Sequence, residues 1–356
     1  MKKIDRTARE LPSMDDIILN YDQIFTDADD PVALIVRGAI LSRKGSFDDA
    51  IRHFDRAIEK NPNLLDAWFD KGVALFNKGD NPGALECFQK VALLQPDHGD
   101  AWLKMGVICR RMKNYENALE YLDKCLERDP ENIYALMGKM EILIDDLGEE
   151  EKALQAIDRA LEINRDQSYF LVRKGEILSS RGRHDLALPC FEKALQIDPD
   201  AVMAWHGKGA ILFKRGLYED ALQCFENAIK NNHQYYEAAL AKGFTLIALQ
   251  RYHQALTDFK FFTRTFSESF DLSFGKGLAQ MGLRRYPEAL KFIERAIRLR
   301  PNNASVWHEK GRLLQKMGRE EEARAAYAEG IRLKHAGEME CPFWTYDLAE
   351  SLNREK

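Results

Sequence analysis

The sequence predicts an all-α solenoid built from antiparallel helix hairpins, and three observations predict it. Glycine recurs at Gly38, Gly72, Gly106, Gly175, Gly209, Gly243, Gly277 and Gly311, each 34 residues from the last except across one interval of 69. An alanine follows each of these twelve residues later, at Ala50, Ala84, Ala118, Ala187, Ala221, Ala255, Ala289 and Ala323. Between these markers, apolar residues fall at helical spacings of three and four. A fixed period of this size is the signature of a stacked array, in which each unit buries its apolar face only against its neighbours.

Taking the glycine as position 8 of each repeat, apolar or small residues occupy positions 4, 8 and 11 of a first helix and 20, 24 and 27 of a second. In repeat six these are Trp205, Gly209 and Leu212, then Ala221, Phe225 and Ala228. The small residues at 8 and 20 predict close backbone approach within the hairpin. Gly45, Gly79, Gly182, Gly216 and Gly318 at position 15 suit the left-handed cap between the two helices. Pro62, Pro96, Pro130, Pro199 and Pro301 end second helices, because proline lacks an amide donor and restricts its predecessor. Pro82 and Pro287 fall where a second helix begins, a place that tolerates proline. The long interval contains an irregular repeat, with Met140 at position 8, Ala153 thirteen residues on, and one extra residue in Leu147-Gly148-Glu149-Glu150.

These positions resemble the tetratricopeptide repeat, with Trp68, Trp102, Trp205 and Trp307 at the signature tryptophan. The resemblance covers nine repeats: 31–64, 65–98, 99–132, 133–167, 168–201, 202–235, 236–269, 270–303 and 304–335. It implies a right-handed superhelical solenoid whose first helices line a concave side. One departure recurs: position 7, usually leucine, is basic in eight repeats (Arg37, Lys71, Lys139, Lys174, Lys208, Lys242, Lys276, Lys310). A lysine stem packs while its head reaches water, so this reads as a variant of the repeat. Residues 13–30 align with a second helix and are expected to cap repeat one. After repeat nine, Pro342 opens a segment with Trp344, Leu348 and Leu352 on one stripe, expected as a capping helix over 336–356 or as an aromatic interaction motif.

Composition fits a folded array. The 356 residues are 45% apolar and 31% charged, too apolar for a disordered chain. Charged residues interrupt the N-terminal stretch, no run approaches the length of a membrane span, and six cysteines are scattered without a CxxC pair. Those features lead to an expectation of a cytoplasmic protein without a membrane segment. A formal charge of −5 argues against a general nucleic-acid binder. No phosphate-binding loop, dinucleotide fingerprint, nucleophile elbow or zinc-ligand spacing occurs, and glycines such as those in HGKGAI at 206–211 belong to the repeat. The expectation is a non-catalytic protein with no cofactor and no metal.

Positions 2, 5, 9, 12 and 13 of each first helix lie in one sector of roughly 100°, beside the core sector. Repeats two and three place Phe69, Val73, Phe76, Leu103 and Val107 there. Repeats six to eight place His206, Phe213, Leu240, Phe244, Ile247, Phe274, Leu278 and Met281 there. Repeats four and five contribute Met137, Glu141, Asp145, Glu176, Ser179 and Ser180. An apolar patch along a concave surface marks a binding site, so the expected ligand is an apolar or amphipathic segment of a partner protein. The family's chaperone-tail clamp, which needs lysine at position 5, is not reproduced: that position reads Ile35, Phe69, Leu103, Met137, Val172, His206, Leu240, Phe274 and His308. Charge is also uneven, with 13 basic and 18 acidic residues over 1–100 against 14 basic and 7 acidic over 276–335. Self-association through these ends is the alternative reading, and RNA binding by the basic terminal repeats a weaker one.

Overall fold

A computed structural model describes residues 30–335. Over that span the chain forms eighteen α-helices and no strand. It divides after Ile163 into two compact units. The capping segments expected over 13–30 and 336–356 lie outside the described residues.

The first unit contains α1 (Pro31–Arg43), α2 (Phe47–Lys60), α3 (Leu65–Lys78), α4 (Asn81–Leu94), α5 (Gly99–Arg111), α6 (Tyr115–Arg128), α7 (Ile133–Glu141) and α8 (Glu150–Ile163). The second contains α9 (Ser168–Ser180), α10 (His184–Ile197), α11 (Val202–Lys214), α12 (Tyr218–Asn231), α13 (Tyr236–Ala248), α14 (Tyr252–Phe266), α15 (Phe270–Gly282), α16 (Tyr286–Leu299), α17 (Ala304–Lys316) and α18 (Glu320–His335). Odd-numbered helices are the first members of the hairpins and even-numbered helices the second. Within each unit a helix packs on its sequence neighbours, and some first helices, such as α1 with α3 and α13 with α15, also touch the first helix of the next hairpin.

The recurring small residues are where the helices meet. All nine alanines at position 20, Ala153 and Ala323 included, are essentially inaccessible. Position 8 receives the side chain at position 24: a Cβ on Gly209 would lie 2.7 Å from the Phe225 ring, and one on Gly311 would lie 2.6 Å from Tyr327. In repeat seven the ring is held from two hairpins at once. A Cβ on Gly243 or on Gly275 would come within 2.4 Å of Phe259, so α13 and α15 close on one phenylalanine only because both lack a side chain there.

The hairpin turn puts position 15 in the left-handed region in every regular repeat. Five repeats use glycine there, but Lys113 (φ 60°), Gln250 (φ 56°) and Arg284 (φ 58°) adopt the same conformation with a side chain present. The irregular fourth repeat ends its first helix in a π turn over Ile142–Asp146, followed by a three-residue link with Gly148 at φ 68°. The extra residue thus widens the last helical turn as well as lengthening the link.

Two couplings tie consecutive hairpins together. Each signature tryptophan donates its indole N–H to the carbonyl of the preceding proline: Trp68 to Pro62 (2.9 Å), Trp102 to Pro96 (2.8 Å), Trp205 to Pro199 (2.8 Å) and Trp307 to Pro301 (2.7 Å). The position-7 lysines do more than reach water. Lys71 pairs with Asp55 (2.6 Å), Lys139 with Asp123 (2.5 Å), Lys208 with Glu192 (3.0 Å), Lys242 with Glu226 (3.3 Å) and Lys310 with Glu294 (3.4 Å). In every case the acid stands at position 25 of the preceding repeat. Where that position is Lys260, the following Lys276 turns instead to Glu268 at 3.0 Å.

Candidate protein-interaction face

The sector that faces away from the second helices differs sharply between the two units. On α3 and α5 of the first unit, Phe69, Val73, Phe76 and Leu103 are half-buried, and Val107 is 40% exposed. Phe69, Val73 and Phe76 rest on the core formed by Leu75, Phe88, Met105 and Ile108 and remain partly accessible. Phe69 stands edge-on to Phe88, with ring centroids 5.4 Å apart, and stacks on His98 at 5.1 Å. The Arg111 guanidinium lies 4.0 Å from the centre of the Phe76 ring. These rings are therefore held in place before any ligand arrives.

The same face continues onto α7. Met137 is half-buried there, and Glu141 pairs with Arg110, which also reaches Asp146 at 2.8 Å and Asp145 at 3.9 Å. Asp66 and Asp70 border the apolar stripe on α3. Burial, with Asp66 nearby, pushes the Asp70 carboxyl up to about 6.

In the second unit Tyr169 on α9 and Met203 on α11 stay exposed in this sector, but the other apolar residues there do not form an open surface. Phe213, Leu240, Phe244, Ile247, Phe274, Leu278 and Met281 are all buried, none more than 7% exposed, and belong to one continuous core. Phe244 stands edge-on to Phe259 at 5.4 Å, Phe213 to Tyr218 at 5.2 Å, and Phe274 stacks on Phe270 at 5.7 Å. These side chains, expected to line the groove, pack in this core. At position 6 of repeat eight, Gly275 lets α15 approach the ring of Phe259. In repeats two and three that position holds Asp70 and Lys104, and the neighbouring face stays open.

Glu176 and His206, polar members of this sector in the second unit, also find structural surroundings. Glu176 accepts from Arg173 at 2.9 Å. His206 lies edge-on to Tyr235 at 5.3 Å, and burial lowers its imidazole to about 4, so it is neutral at physiological pH.

No constellation suited to catalysis accompanies these faces. A cleft of about 670 Å³ runs beside α12, α13 and α14, where Lys242 pairs with Glu226 and Asp258, and Arg251 with Glu219 at 2.7 Å. Among the described residues no group of three His, Cys, Asp or Glu could hold a metal ion, and no helix is long and apolar enough to cross a membrane.

Three tetratricopeptide repeat models match the chain, one at residues 99–132, 168–201 and 202–235, one at 37–92 and 240–304, and one at 292–325. No curated protein sequence matches. Among solved structures, a tetratricopeptide repeat protein from Parabacteroides merdae is 19% identical with a TM-score of 0.51, the match covering 75% of this chain and 98% of that one. The Cut9–Hcn1 hetero-tetramer of the APC/C is 16% identical with a TM-score of 0.52, covering 85% of this chain and 60% of that one. PilF of Pseudomonas aeruginosa is 19% identical with a TM-score of 0.50, covering 57% and 92%. These likenesses concern the fold. With the repeat models matching over more than half its length, the chain belongs to the tetratricopeptide repeat family.

Proposed function

We propose that this protein is a non-catalytic, cytoplasmic scaffold whose first unit binds an apolar or amphipathic segment of another protein across α3 and α5. One observation carries the reading: five apolar side chains on two adjacent first helices stay accessible, although the apolar residues of the same sector on α13 and α15 are buried. Accessible aromatic rings already fixed by His98 and Arg111 lose little side-chain entropy when a partner covers them. The absence of a position-5 lysine makes a terminal carboxylate a poor ligand for this face. Scattered, buried and unpaired Cys87, Cys109, Cys125 and Cys224 are consistent with a reducing compartment.

Photo-crosslinking tests the proposal. A benzoylphenylalanine placed at Val107 in the native cells should capture a partner that one placed at Leu93, the 73%-exposed leucine on α4, does not. Combining Phe69→Ser and Phe76→Ser should remove the Val107 product. Equal capture from both positions, or capture that survives the double substitution, refutes the α3–α5 face. If the Val107 product contains only a second copy of this chain, self-association is the correct reading.

A further inference from the structure

The α3 carboxylates specify the chemistry of the segment that docks on this face, an inference that rests on the binding face proposed above. Several carboxylates that lose water elsewhere in the described chain have a cation beside them. Glu141 has Arg110, Asp258 has Lys242 at 3.0 Å, and Glu268 has Lys276 at 3.0 Å and Arg295 at 3.6 Å. Even the nearly inaccessible Asp271 and Glu309 have Arg300 at 3.9 Å and Arg312 at 2.9 Å. Asp70 has none. It is half-buried, no cation among the described residues pairs with it, and the charge acting on it is a second carboxylate, Asp66, one turn earlier on the same helix.

The ordinary explanation covers Asp66 but stops short of Asp70. Asp66 lies in the first turn of α3, where the exposed amides and helix dipole favour an acid. Asp70 lies in the second turn, beyond that influence. Arg111, a cation on the same face, sits over the Phe76 ring instead. At about 100° per residue, Asp66 points within roughly 20° of Val73 around the helix and Asp70 within roughly 60° of it. The two carboxylates therefore border the apolar stripe directly, and the free protein carries a desolvated, uncompensated charge at the edge of its accessible apolar surface.

We propose that the occupant of the α3–α5 face is an amphipathic segment bearing lysine or arginine beside its apolar anchors, the cation settling between Asp66 and Asp70 as the anchors cover Phe69, Val73 and Val107. Such a partner supplies what the free chain lacks. An acidic segment of the same apolar character is rejected, because it would bring a third negative charge to a site already short of water. The pair thus sets specificity, and the apolar stripe supplies most of the contact.

The test uses the full chain and two short fluorescent peptides with identical apolar faces, one flanked by lysine and one by glutamate. Anisotropy at pH 7.5 should show the lysine peptide binding about tenfold tighter, the scale expected from two partly exposed ion pairs gained rather than opposed. Asp66→Asn/Asp70→Asn should reduce that preference to less than about twofold while leaving the melting temperature unchanged or higher. Asp70→Glu keeps the charge and should keep the preference. Should the double variant fold poorly, Asp70→Asn alone, compared with Asp70→Glu, carries the same reading. Equal binding of the two peptides, or a preference that survives the asparagine substitutions, overturns the charge assignment and leaves the apolar face standing. If neither peptide binds at millimolar concentration, the binding face itself is wrong and this inference falls with it.

Discussion

Truncating Phe244 and Phe76 to alanine separates core from accessible face. Both occupy the same sector of a first helix, Phe244 on α13 and Phe76 on α3. Phe244 is completely buried and stands edge-on to Phe259, itself wedged between Gly243 and Gly275. Removing that ring leaves a cavity that two close-packed helices cannot collapse to fill, and should cost about 3–5 kcal/mol. Phe76 keeps part of its ring in water and gives up mainly a cation–π contact and partial burial, for about 1–2 kcal/mol. A domain has only about 5–15 kcal/mol in hand, so Phe244→Ala should visibly loosen the second unit. Urea denaturation followed by circular dichroism measures both variants, and limited proteolysis locates the damage, expected within residues 164–335 for Phe244→Ala. A loss below about 1 kcal/mol at Phe244, or a larger loss at Phe76, would show that the two faces have been assigned the wrong way round.

Three further outcomes follow from particular contacts. The Asp70 carboxyl is raised from 3.8 to about 6, so between those values the folded chain binds the extra proton, and stability falls as pH rises through that window. Asp70→Asn should therefore stabilise the free chain at pH 7.5, by about 1–2 kcal/mol after allowing for solvent screening, and the gain should vanish below about pH 4; melting curves across pH check it. Lys208→Glu and Glu192→Lys should each cost up to about 1 kcal/mol, and the two together should recover part of the loss, read from a double-mutant cycle by urea denaturation. Gln250→Gly and Arg284→Gly relieve left-handed turns held by ordinary side chains and should each raise stability by about 0.5–1 kcal/mol in thermal melts, partly offset by the greater freedom of glycine in the unfolded chain.

Period and residue size carried the hairpin fold. Glycine at 8 and alanine at 20 mark close backbone approach, which few other residues permit, so helix order was legible before any coordinates. The inter-hairpin ion pairs were legible too, in hindsight: except at Lys276, which follows Lys260, the paired lysines at 7 follow an acid at 25 of the preceding repeat, and Met105 follows the neutral Gln89. Treating position 7 alone hid that coupling. The accessible face was only half legible. Helical phase puts Phe76 and Phe244 in the same sector, and phase cannot say whether the next helix stands close enough to bury them. Asp70 escaped notice because a lone acid on a helix reads as a solvated surface group until its neighbours are known.

The most direct measurement is hydrogen exchange of the full chain with and without the lysine-flanked peptide. Docking on the first unit should slow exchange over residues 65–78 and 99–111 and leave α13 and α15, whose apolar sector is already sealed, unchanged. Slowed exchange over 236–248 and 270–282, with none over α3 and α5, would contradict the placement of the binding surface on the first unit.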